Sequence, residues 1–304
     1  MFARTVASGL LAFALALPNA AHAEMTRIEQ GLERIELTGS LRMLSQRLVR
    51  NSCFVVAGIA DEGTFTELAA DADEFNRRAD LIVHGDESIG MGPERSPIIL
   101  ASFENQIMVP WRMMHLQALA TVTRGEAERA DVADIFDRSE LLLADLNAAV
   151  SAYEEKYARG SRMSPEQSRT LNVYARQRML SQRIAGLPCL ASIEVDGTDA
   201  RTQLEGAYET FAIALADMAD GNVESRMMPP PPAAATVIDC ARNEFEQVRP
   251  LIEDVIAGAT LDRDQLTQLL AASRQLTIHS QNAVDALLAY FDGTPFDTTG
   301  CGAA

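Results

Sequence analysis

Lysine is nearly missing from this chain: Lys156 is the only one, so almost every positive charge is a guanidinium. Any anion site here must therefore be built from arginine, whose planar fork suits carboxylates and oxyanions. Cations of both kinds are outnumbered, 26 basic residues against 43 acidic ones, for a formal net charge of −17. Such a surface repels nucleic acid and anionic lipid, and excludes both as partners. Strand signals are almost absent, which excludes sheet-based folds. Beyond the N-terminal segment, no stretch approaches the ~18 uninterrupted apolar residues of a spanning helix. No nucleophile motif or Gly-rich phosphate loop is present. His84, His115 and His279 lie on separate segments without companions at ligand spacing. We read no catalytic site, no metal and no cofactor.

What is present begins with residues 1–23, MFARTVASGLLAFALALPNAAHA. One early Arg4, an apolar run from Leu10 to Leu17 and the small-residue ending Ala21-His22-Ala23 have the form of a secretory signal peptide, cleaved before Glu24. The expected location is the periplasm, with the mature chain one unit more negative. Four cysteines remain, Cys53, Cys189, Cys240 and Cys301. Their spacing matches no zinc motif. An even number in an oxidising compartment implies two disulfides, with three possible pairings.

Apolar residues recur at three- and four-residue spacing through most of the chain, the helical pattern. Eight helices are expected, at 26–60, 64–84, 97–124, 129–158, 165–195, 199–220, 235–258 and 262–291. Ser164-Pro165-Glu166-Gln167 is a helix start, with a capping Ser, Pro in the first turn and Gln at the third position. Pro229 to Pro232 read as a short polyproline strut. Met108, Met113, Met114, Met227 and Met228 offer soft thioethers to copper, but Met is also ordinary core filler, and we read them as core, with Trp111.

The hexapeptide RMLSQR occurs twice, at 42–47 and at 178–183. At the same offset of 136, Cys53 matches Cys189, Gly85 matches Gly221, Met91 matches Met227 and Pro93 matches Pro229. Asn147 falls near the register of Asn282. The expected fold is thus all-α: two tandem four-helix bundles, residues 24–160 and 161–295, followed by a tail at 296–304.

On a helical wheel, Leu37, Leu41, Leu44 and Leu48 form one stripe of the first helix; Arg42, Gln46, Val49 and Cys53 lie nearly opposite. In the second copy the stripes are Val173, Gln177, Leu180 and Ile184, and Arg178, Gln182, Ala185 and Cys189. A helix with small, apolar and sulfur-bearing residues on its far side needs a second packing partner. The economical one is the equivalent helix of the other copy, across a pseudo-two-fold axis. Parallel and level, these helices would join Cys53 to Cys189, which leaves Cys240 for Cys301. They would also bring Arg42 to Arg178. Two guanidiniums at about 5 Å and an effective dielectric near 20 repel by about 3 kcal/mol. An anion between them reverses that sign, with Ser45, Gln46, Ser181 and Gln182 within a turn as further donors. The alternative is that each arginine pairs with one of the many carboxylates.

The duplicated segments resemble a known group of sensors. TGSLRMLSQRL, residues 38–48, is similar to the AGSLRMQSYRL box of the nitrate/nitrite sensors NarX and NarQ. ARQRMLSQRI, residues 175–184, is similar to the N-terminal domain of PilJ-type, type IV pili chemotaxis transducers. The resemblance implies a four-helix sensor domain that pairs through its first helices and holds an anion between Arg42 and Arg178. It implies a backbone role for Gly39, and it makes Arg47 and Arg183 the later box arginines. This chain departs from the nitrate box at Ala175, which replaces the glycine in the second copy, and at Leu-Ser-Gln in both copies. With no kinase or methyl-accepting region in the sequence, the signal is expected to pass by docking to a periplasmic or membrane protein. One chain would act as its own pseudodimer. The competing expectation is a ligand-free helical interaction module associated with a chemotaxis or pilus system.

Overall fold

Four helices start on the same device. Thr26, Asp61, Ser164 and Asp262 each accept a hydrogen bond from the backbone N–H three residues on, and Glu29, Thr64, Gln167 and Gln265 each accept one in return from the cap's own N–H. Each box satisfies two donors that a helix start otherwise leaves orphaned. The computed structural model describes residues 25–157, 163–195, 199–297 and 301; the expected signal peptide and most of the C-terminal tail lie outside them. The helices are α1 (Arg27–Val56), α2 (Glu62–His84), α3 (Pro97–Ser102), α4 (Met108–Arg124), α5 (Arg129–Tyr157), α6 (Pro165–Ser192), α7 (Ala200–Asp220), α8 (Pro232–Ile256) and α9 (Arg263–Asp292). No strand occurs among the described residues, only the isolated bridges Asp86–Met91 and Asn222–Met227.

Several boundaries differ from the sequence reading: α1 ends at Val56 rather than 60 and α6 at Ser192 rather than 195. The rod expected at 97–124 is interrupted by a π turn at Phe103–Ile107. Pro110 follows three residues later, and a proline can neither donate to nor sit against the carbonyl four residues back; widening the preceding turn is a common accommodation. α8 starts at Pro232 rather than 235, because proline is well suited to the first helical position. The polyproline geometry therefore ends at Pro231, with φ −64° and ψ 156°.

The packing forms two rings. In the first, α1 contacts α2 and α5, and α4 closes the ring between them; in the second, α6 contacts α7 and α9, and α8 closes it. The rings meet where α1 packs along α6. Both are consequently buried around nearly their whole girth through the central turns, and Leu41, Leu44, Leu48, Cys53, Leu180, Ile184 and Cys189 are all core. The two repeats are the same object built twice. Gly85 and Gly221 both sit at positive φ, 73° and 70°, where the chain leaves the second helix of its unit. The loop that follows is tied back to the first helix in each copy, by Arg34 Nη2 donating to the Gly92 carbonyl at 2.5 Å and by the Met228 N–H donating to Thr170 Oγ1 at 3.2 Å. The single lysine serves the first of these ties: Lys156 Nζ reaches Glu94 at 2.5 Å, and Glu94, fully buried, also faces Arg34. Trp111 is core as expected, stacked on Phe75 with its indole N–H donated to Asn76.

α1 and α6 run parallel and in register. Pairs across the seam follow one another from the same end of both helices: Glu36 with Arg178, then Gln46 and Arg50 with Arg183 and Gln182, then Cys53 with Cys189. Cys53 and Cys189 are disulfide-bonded, with Cα atoms 6.2 Å apart, and Cys240 is bonded to Cys301 at 5.4 Å. Gly186 marks the closest approach, since a methyl there would stand 3.2 Å from Arg50 Cα.

Candidate anion site

The two box arginines both lie in the α1–α6 seam, buried, over Gly39. A Cβ added at Gly39 would meet Arg42 Nη2 at 3.4 Å and Arg178 Nη2 at 4.0 Å, so the absent side chain leaves the space between the guanidiniums open. Around that shared point the two arginines differ. Arg178 is fully occupied: Nη1 and Nη2 donate to the two Glu36 oxygens at 2.6 and 2.9 Å, Nη1 also reaches Gln281 Oε1 at 2.7 Å, and Nε donates to the Ala175 carbonyl. Arg42 donates Nη1 to Asn147 Oδ1 at 2.9 Å, and its buried Nε has no partner. Among the described residues no carboxylate lies at ion-pair distance from it. Loss of water, then the neighbouring charges of Arg176 and Arg178, bring its pKa down to about 10, against a weaker opposing pull from Glu154 and Glu36.

The remaining box residues are placed as follows. Ser45 and Ser181 donate their hydroxyls to the carbonyls of Arg42 and Arg178 three residues back, so neither hydroxyl proton faces the seam. Gln46 accepts from Arg183 Nη1 at 3.0 Å and leaves its amide Nε2 without a partner. Gln182 accepts from Arg50 at 2.7 Å and donates to Thr277 and Ser181. Arg47 turns to Asp71 on α2, and Arg183 to Glu140 on α5 and Gln203 on α7, so both later arginines are held by acids of neighbouring helices rather than over Gly39.

Three participants were not read from the sequence. Glu36 is the acid on Arg178; its counterpart at the repeat offset is Asn172, so a carboxylate present in one copy alone was the available signal. Gln281, not Asn282, matches Asn147 as the amide on the box arginine. Arg50 is the third. It is fully buried in the seam, where it binds Glu67, Asn51, Gln182 and Ser273, and its counterpart is Gly186.

The family model described as type IV pili methyl-accepting chemotaxis transducer N-term, PilJ, matches residues 25–136 and again 161–275. The chain belongs to the PilJ family. One match falls on each helical ring, ending within α5 in the first and within α9 in the second, so the PilJ unit occurs here twice in one chain. The likeness to NarX and NarQ rests on the box residues alone. No curated protein matches the chain.

Proposed function

We propose that this PilJ-family protein is a non-catalytic, extracytoplasmic sensory protein that holds a small oxyanion, of the nitrate or nitrite kind, over Gly39 between Arg42 and Arg178. One observation carries the reading. Arg42 is a buried cation with an orphaned donor, like-charged neighbours and, among the described residues, no carboxylate partner, and a buried charge in that condition is costly unless an anion joins it. Glu36 supports it, since its two oxygens already satisfy Arg178 in the forked manner of a planar oxyanion. An arriving anion would accept from Arg42 Nε and compete with Glu36 for Arg178. Release of Glu36 then alters the contact between α1 and α6, below a disulfide that holds them at the other end, and a docked partner reads the change. The two disulfides suit an oxidising compartment, as does the signal-peptide reading of residues 1–23.

The test is thermal unfolding in nitrate, nitrite, sulfate and chloride at matched ionic strength, for the wild type, Arg42→Lys and Arg178→Ala. The expected result is a rise in midpoint with one anion that both variants lose. The second reading, a ligand-free interaction module, is favoured by the internal Arg178–Glu36 pair. It requires identical midpoints in every salt.

A further inference from the structure

A groove of about 470 Å³ opens on one flank of the seam, between α5, α6 and α7. Its size falls in the range of small-molecule sites. Arg176 and Asn147 stand at one end and Arg183 with Glu140 at the other, and the stretch between is floored by Leu143, Ala144, Met179, Leu180 and Ala207. Arg176 and Arg183 are seven residues apart on α6, so the groove is roughly 10 Å long. Arg183 is neutralised by Glu140. Arg176 is exposed and makes no hydrogen bond or ion pair among the described residues. Asn147, beside it, has its carbonyl oxygen taken by Arg42, so Arg176 is the lining cation at this end of a trough whose wall mixes apolar side chains with Thr202, Gln203 and Thr210. Gly206 holds the wall open, since a Cβ built there meets no atom within 4 Å.

The other flank of the seam lacks these features. The counterpart of Arg176 is Ser40, whose hydroxyl donates to the Leu37 carbonyl. The counterpart of Gly206 is Ala70, and Arg47, the counterpart of Arg183, is held by Asp71. Among the described residues, an unpaired arginine beside an open trough is found on this flank of the seam and not on the other.

We propose that this groove binds a small organic carboxylate, its carboxylate on Arg176 and Asn147 and its apolar body along Met179 and Ala207. A carboxylate meets the guanidinium in a forked, charge-assisted contact, and an apolar tail displaces water from the trough floor. A bare inorganic anion would use one end and leave the rest wet. The site adjoins the one over Gly39 through Asn147, which also holds Arg42, but needs neither Arg178 nor release of Glu36.

Isothermal titration of the mature protein with acetate, butyrate and hexanoate, with hexanol as the uncharged control, tests it. The expected result is binding that tightens by about fourfold per methylene, is absent for hexanol, and is lost in Arg176→Gln and in Gly206→Leu. The second variant fills the groove at a position with room for it and replaces a helix-interior glycine, so it should fold at least as well as the wild type. Gly206→Leu should leave any nitrate response untouched, which separates failure of this site from failure of the one over Gly39. No carboxylate binding, binding independent of chain length, or hexanoate binding that survives both variants would overturn the assignment.

Discussion

Glu36→Gln isolates the competition on which the proposed response depends. The substitution keeps the shape of the side chain and removes the charge that neutralises Arg178. Breaking one partner from a fully buried pair costs about 3–5 kcal/mol, whereas an exposed pair is worth about 0–1 kcal/mol. Arg178 is buried but the Glu36 side chain is 37% exposed, so solvent screening places the cost between these, at about 1–2 kcal/mol. For a chain of this size each kcal/mol moves the midpoint by about 2–4 °C, and the variant should melt roughly 2–8 °C below the wild type in anion-free, low-salt buffer. The same cost is one that a ligand no longer has to meet. Nitrate should therefore bind the variant about 5- to 30-fold more tightly, and at 100 times its dissociation constant should return about 2.7 kcal/mol of stability. Melting curves in a nitrate titration, with calorimetric titration beside them, provide both numbers. If Glu36→Gln melts with the wild type in the absence of anion, or titrates at the same nitrate concentration, Glu36 is not the internal competitor and the reasoning fails.

Three further outcomes are expected. Reducing the Cys53–Cys189 bond, which closes a 136-residue separation, or replacing it by Cys53→Ser/Cys189→Ser, should cost up to about 5 kcal/mol on the chain-entropy account, measured by denaturant unfolding. Gly31→Ala places a methyl against the Tyr157 ring, about 2.6 Å from its Cδ atoms, and should destabilise by about 1–3 kcal/mol through overpacking, a loss that Tyr157→Ala partly rescues in the double variant. Asp61 at the start of α2 is held far below the usual carboxylate range, chiefly by hydrogen bonds from Arg274 on α9, which also binds Glu67 beside buried Arg50. A depressed carboxylate contributes stability that is present above its unfolded pKa, near 4, and is lost as pH falls through the folded value. Wild-type melting temperature should therefore drop from about pH 4 downward, and Arg274→Ala should flatten that limb; an unchanged acid profile in the variant would rule out this clasp between the repeats.

The hexapeptide repeat, the shared offset of Cys53 and Cys189, and the four-residue spacing from Arg42 to Gln46 and from Cys53 back to Val49 were enough to lay two parallel helices side by side and to pair the cysteines. Those features follow from backbone periodicity. A helix turns by a fixed angle per residue whatever surrounds it, so a stripe read from letters becomes a face in space. The same periodicity placed Arg42 and Arg178 in one seam over Gly39.

Where the guanidiniums go after leaving the helix was decided elsewhere. Arginine reaches across several ångströms on rotatable bonds, and it settles on whichever acceptor the fold brings near: Arg178 on Glu36 from the other repeat, Arg183 on Glu140 of α5, Arg47 on Asp71 of α2. None of these partners is local in sequence, and in an acidic chain the candidates are too many to sort without coordinates. The groove beside Arg176 belongs to the same class, since it exists only because α5, α6 and α7 meet there and Gly206 adds nothing to the wall. The sequence by itself determined two helical units joined along their first helices; the tertiary structure decided which arginines carry a carboxylate and which do not, because charge pairing depends on distances that periodicity does not encode.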